Sequence, residues 1–110
     1  MKHYRHGDLL IVPTDEVPKN AQKIKRVGGR LILAEGEVTG HAHAIADRSA
    51  SLYELVSPGD VAEMRQRFLT VEKAAALAHE EHGTINLPAG IYQVFRQVED
   101  TGRESWRVAD

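Results

Sequence analysis

Residues 30–47 read RLILAEGEVTGHAHAIAD. The stretch opens on Leu31, Ile32, Leu33 and Ala34, a run apolar at every position that suits a strand covered on both faces. Gly36 and Gly40 interrupt it, and glycine inside a strand pattern signals a bulge, a bend or a close backbone approach to a ligand. Beyond them, His41, His43 and Ile45 fall on one face of an extended chain, with Ala42, Ala44 and Ala46 on the other. Two strands parted by a glycine-rich break set the fold class as mainly β.

The flanking sequence repeats this grammar. Asp8 to Pro13 (DLLIVP) is a short apolar run closed by proline, suited to a buried strand, and Thr14 to Asn20 reads as a loop. Ala21 to Val27 suits either a solvated edge strand or a short helical turn. Gly28-Gly29 is a turn signal that closes a hairpin into Arg30. Ser51 to Val56 (SLYELV) is a further strand, broken by Pro58-Gly59-Asp60, and Asp60 through Arg67 has the makings of a short helix. Phe68 to Val71 and Thr84 to Leu87 read as strands. Ile91 to Val98 (IYQVFRQV) alternates, Asp100 to Glu104 makes a hairpin turn, and Ser105 to Val108 a last strand. Many short strands at close spacing predict one small barrel or sandwich over residues 1–110, with at most one or two short helices.

Glu72 to His82 (EKAAALAHEEH) is the ambiguous segment. Its alanines, leucine, lysine and glutamates favour a helix by propensity, whereas its position suits a strand running straight into Gly83. On a helix, His79 and His82 share one face; on a strand an offset of three points them apart unless a bulge re-aims one.

The totals narrow the function classes. The chain has 110 residues, 42% hydrophobic and 27% charged, with a formal charge of −2. That is one ordinary globular domain, without room for separate cofactor and substrate domains. Charges of both signs are interspersed, so no bulk field favours nucleic acid or membrane, although Lys19, Lys23, Lys25, Arg26 and Arg30 crowd one segment. The absence of cysteine excludes disulfides, thiolate metal sites and cysteine nucleophiles. No signal peptide or bilayer-spanning apolar stretch is visible, so a cytoplasmic location is expected.

The six histidines form three close pairs: His3/His6, His41/His43 and His79/His82. The first pair lies beside Met1, where chains fray, and the weight falls on the other two. His-x-His on a strand aims two imidazoles at one point, and neutral imidazole suits Zn or Fe, with Mn admitted where carboxylates join. Glu80 and Glu81 beside the second pair, and Glu35, Glu37 and Asp47 around the first, are candidates to ligate or to orient a ligating ring. The expected metal ligands are therefore His41, His43, His79 and His82, with Glu81 or Asp47 as additions. HEEH is not the zincin helix motif, in which the histidines stand four apart.

Residues 36–97 also resemble the cupins. That family's first motif is Gly, five residues, His-x-His, three or four residues and Glu; here Gly36 is followed by four residues, His41-Ala42-His43, three residues and Asp47. Its second motif is Gly, five residues, Pro-x-Gly, two residues, His, three residues and Asn. Here Gly83 is followed by four residues, Pro88-Ala89-Gly90, two residues, Gln93, three residues and Gln97. Each leading gap is one residue short, Asp47 replaces glutamate and Gln93 replaces the last histidine. The resemblance implies His41, His43 and Asp47 as ligands with Gln93 a weak fourth, and His79 or His82 standing in for the missing histidine. More loosely, the chain looks like a member of an uncharacterised bacterial family.

Three functions compete. The first is a metal-binding β-domain, extending to a metal-dependent enzyme acting on a small or phosphorylated substrate with a Zn, Fe or Mn ion. The second is a metal-free hydrolase or ribonuclease, with histidines as general acid and base and Arg96, Arg48 or Lys73 neutralising a phosphate. The third is a non-catalytic domain that completes its core as a homo-oligomer. Trp106 is expected to cover one end of the core, and Tyr53 and Tyr92 to belong to the core or border a pocket.

Overall fold

The computed structural model describes residues 2–35, 41–60, 65–80, 82–100 and 103–107. These form eleven strands: β1 (Tyr4–His6), β2 (Leu9–Pro13), β3 (Gln22–Lys23), β4 (Leu31–Glu35), β5 (Ala42–Ile45), β6 (Ala50–Glu54), β7 (Arg67–Val71), β8 (Ala75–His79), β9 (Gly83–Leu87), β10 (Gly90–Asp100) and β11 (Arg103–Arg107). All pairings are antiparallel. One sheet runs β1-β2-β10-β7-β6-β3, with β11 also on β10; the other runs β4-β5-β8-β9. The architecture is a two-sheet sandwich rather than a closed barrel, and the described residues contain no helix.

Alternation explains the core. In β2, Leu9 and Ile11 are buried while Leu10 and Val12 are only partly covered, and Ala75 and Leu77 of β8 are buried in the same every-other pattern. Leu9, Ile11, Leu52, Leu69 and Tyr92 from the larger sheet join Leu31, Leu33, Ile45, Leu77 and Leu87 from the smaller in one cluster. Each such aliphatic side chain contributes about 1.5–3 kcal/mol on burial. Polar ties also join the layers: Arg67 Nη1 donates to Leu33 O (2.8 Å) across the sheets. Within the smaller sheet, Ala76 N–H donates to an oxygen of Asp47 (2.8 Å), fixing the loop after β5 to β8.

The Gly28-Gly29 turn is present, with φ of 60° and 81° and an isolated bridge between Val27 and Arg30. The Ala21 to Val27 segment resolves as an exposed two-residue edge strand, β3, instead of a helical turn. Of the short helix expected from Asp60 through Arg67, residues 61–64 lie outside the described residues, and Arg65 to Arg67 are not helical, Arg67 opening β7. The described residues of Glu72 to His82 are not helical: Ala75–His79 is a strand paired on both sides, and His79 sits opposite Gly83 in the hairpin with β9. Alanine's helical preference is a few tenths of a kcal/mol per residue. Two ladders of sheet hydrogen bonds and the burial of Ala75 and Leu77 outweigh it. Among the described residues, no helix is long and apolar enough to cross a membrane.

Candidate metal centre

The inward faces of three strands each end in a histidine. In β8 the buried positions are Ala75, Leu77 and His79, so His79 continues the core face one step beyond leucine. In β5, His43 has the same parity as fully buried Ile45 and is itself 1% exposed. The pairing of Ala44 with Ala78 and Ile45 with Leu77 carries forward to set His43 opposite His79. Their ring centroids lie 4.4 Å apart. In β1 the histidine is His6, again 1% exposed.

A tight turn supplies the next ring. In the β8–β9 hairpin His79 sits opposite Gly83, which takes φ 71°. The hairpin end sets His82 beside His79, with ring centroids 4.5 Å apart and His82 N–H 3.3 Å from His79 Nδ1. His43, His79 and His82 each offer one nitrogen, and those nitrogens lie within 4.8 Å of one another. His82 is exposed, so the group opens to solvent on that side.

The larger sheet contributes through its first hairpin. His6 pairs with Leu9 across a two-residue turn, Gly7-Asp8, in which Gly7 has φ 60°. A Cβ on Gly7 would stand 2.6 Å from His82 Cδ2 and 3.0 Å from His43 Cε1, so only glycine fits this backbone against the rings. The turn delivers two polar groups: His6 Nδ1 lies 2.9 Å from His43 Nδ1, and an oxygen of Asp8 lies 2.8 Å from His43 Nε2. Asp8 is held in turn by Arg96 Nε (3.0 Å), and His6 Nε2 reaches Gly83 O (2.9 Å).

These contacts fix where the protons are. A carbonyl oxygen and a carboxylate only accept, so His6 Nε2 donates to Gly83 and His43 Nε2 donates to Asp8. Burial pushes Asp8 upward, but the hydrogen bond and charge of Arg96, together with His43, outweigh it and hold the carboxyl below its ordinary range. Burial lowers His6 despite its bond to Gly83. Burial likewise lowers His43 to about 4, against the opposing pull of Asp8. With both Nε2 atoms engaged, each ring turns its Nδ1 toward the other. The two Nδ1 atoms lie 2.9 Å apart, a hydrogen-bonding distance.

His41 is half-buried, with its ring 5.9 Å from that of His79, and lies outside the three-nitrogen group. Glu80 accepts from Ala42 N–H (2.9 Å), a bond that lowers its pKa and steadies the start of β5. Asp47 gives its carboxylate to Ala76, and Gln93 lies in the larger sheet with parity opposite to Arg96, so these two positions of the cupin-like pattern are not in the cluster. Glu81 and Glu37 lie outside the described residues. The expectation that put little weight on His6 is corrected: it is buried at the centre of the cluster. His6, Gly7, Asp8 and the Asp8–Arg96 link were missed, although His-Gly-Asp between Tyr4-Arg5 and Leu9-Leu10 carries a hairpin signal.

No curated protein and no solved structure matches the chain. A family described as Domain of unknown function (DUF8820) matches residues 5–97, and the chain belongs to that family.

Proposed function

We propose that the protein is a metal-binding β-sandwich domain whose site is built from His43, His79 and His82, with His6 packed against His43. The observation that carries this reading is that His43, His79 and His82 each offer one nitrogen within 4.8 Å of the others at one end of the core. Asp8 on the far nitrogen of His43 is the carboxylate–histidine arrangement that orients metal-ligating rings and raises their basicity. Nitrogen donors without thiolates favour Zn or Fe(II) over Mn. The exposed side at His82 leaves room for a water or a small oxygenated ligand, which a bound cation would acidify or polarise.

The test uses untagged protein dialysed against EDTA and titrated with zinc by calorimetry. One ion per chain is expected, and His43→Ala/His79→Ala should abolish binding while His3→Ala leaves it intact. Undiminished binding in the double variant, or none in the wild type, refutes the site.

A metal-free acid–base reading has one observation in its favour, the Asp8–His43–His6 chain, which resembles an orienting carboxylate behind a general base. His6 and His43 are each 1% exposed, so no substrate reaches them without opening the hairpin. The metal reading needs no such movement. Hydrolytic activity that survives EDTA and disappears in His6→Gln would decide for the second reading.

A further inference from the structure

At the other end of β5, away from the histidines, a groove of about 450 Å³ is lined by Lys23, Ile24, Lys25, Arg26, Leu31, Arg48, Ala50 and Ser51. Its position follows from pairing: Leu31 opens β4 opposite Ile45, the last residue of β5, and Ile24 N–H donates to Leu52 O along the edge of the larger sheet. At about 3.3 Å per residue, Arg48 lies on the order of 10 Å or more along the chain from His43. Four cationic side chains border an apolar floor of Ile24, Leu31 and Ala50, and no carboxylate is among the lining residues.

Arg26 makes the groove rigid. Its Nη1 donates to Gly29 O (3.0 Å) and Ala46 O (3.4 Å), and its Nη2 to Asp47 O (2.7 Å) and Ala50 O (2.8 Å). Four carbonyls from the glycine turn and the β5–β6 loop are thus gathered on one guanidinium, which ties both walls together. Carbonyl dipoles satisfy its N–H groups but leave its formal charge in place. The acids nearby are engaged elsewhere: Asp47 accepts from Ala76, and Glu54 is paired with Arg65. Among the described residues Lys23, Lys25, Arg26 and Arg48 enter no ion pair.

We infer that this groove binds a phosphorylated small molecule whose remaining part is flat or apolar, of about mononucleotide size. The volume falls in the range of roughly 300–1,000 Å³ typical of small-ligand sites. A phosphate monoester carries about −1.5 to −2 at neutral pH, which suits one fixed and three mobile cations better than a single carboxylate does. Arg48 is placed to fork onto phosphate oxygens, Lys23 and Lys25 to add point charges, and the Ile24–Leu31–Ala50 floor to take the uncharged part. A fixed wall lowers the ordering cost of binding.

The test is an amide chemical-shift titration of the full chain with AMP, adenosine, inorganic phosphate and a short oligouridylate. AMP should shift the amides of residues 24–26 and 48–51 and bind at least about tenfold more tightly than adenosine or phosphate, since each charged contact contributes about tenfold. Lys25→Glu/Arg48→Glu should weaken AMP about a hundredfold by the same arithmetic, while Lys73→Glu changes it less than about twofold. Should the double variant not fold, the comparison of AMP with adenosine on the wild type still decides. Equal binding of adenosine, or shifts confined to other residues, overturns the proposal. So does oligouridylate binding much more tightly than AMP, which would make the surface a single-strand site instead.

Discussion

Replacing Gly7 with alanine tests whether the first hairpin and the histidine cluster are one packed unit. Gly7 has φ 60°, and an L-residue in the left-handed region costs about 1–2 kcal/mol by itself. The new methyl would also stand 2.6 Å from His82 Cδ2, 2.8 Å from His82 Nε2 and 3.0 Å from His43 Cε1. If the rings hold their places, overpacking adds about 1–3 kcal/mol, for roughly 2–5 kcal/mol in all. If His82 swings into solvent, the packing cost falls but one nitrogen donor leaves the site. Gly28→Ala is the matched control, because Gly28 also has φ 60° yet a Cβ there meets nothing within 4 Å. Urea unfolding in EDTA gives the stabilities, and competition with a chromogenic chelator gives the zinc affinities. Gly28→Ala should lose about 1–2 kcal/mol with unchanged affinity. Gly7→Ala should show an added loss of about 1 kcal/mol or more, or an affinity reduced at least about tenfold, or both. Two variants indistinguishable in both measurements would refute the packing argument.

Burial holds His43 near 4 in the folded chain against its ordinary 6.5, so the unfolded chain binds its proton first as pH falls. Stability of the metal-free protein should therefore be full above about pH 6.5 and decline by up to about 3 kcal/mol toward pH 4; a flat urea midpoint between about pH 6.5 and 5 would contradict it. Asp8→Asn removes the charged acceptor behind His43 and should weaken zinc about 10–100-fold, read by the same competition assay; unchanged affinity would show that Asp8 does not act through the metal site. Leu69→Ala, at a fully buried position in β7, should cost about 2–5 kcal/mol in urea unfolding without changing zinc stoichiometry, and a neutral result would mean that the core is misassigned. Zinc at about one hundred times its Kd should stabilise the wild type by about 2.7 kcal/mol, seen as a raised Tm that His43→Ala/His79→Ala lacks.

How much was legible depends on the range over which each feature is decided. Alternating burial in β2 and β6, and the glycine turn at Gly28-Gly29, are local and could be read directly. The pairing of His41 with His43 was visible from spacing alone, yet only His43 enters the three-nitrogen group. Position along a strand decides this, since His43 is the inward residue next to Ile45 and opposite His79. Glu72 to His82 was ambiguous because alanine-rich composition is weak evidence wherever two neighbouring strands compete for the backbone. His6 was passed over because it lies near the chain start; the register with Leu9 and the bond to Gly83 O bury it.

By itself, then, the sequence determined a β class, most strand positions, the exclusion of thiolate chemistry and a surplus of imidazole donors. Those follow from side-chain period, turn residues and composition, which act over a few residues. Tertiary structure alone decided that the two sheets form a sandwich and that histidines from β1, β5, β8 and the β8–β9 turn meet at one end of its core. It also decided that Asp8 and Gly83 claim the far nitrogens of His43 and His6. The reason is that packing one sheet on the other brings together residues 37 and 77 positions apart, and no local pattern carries those contacts.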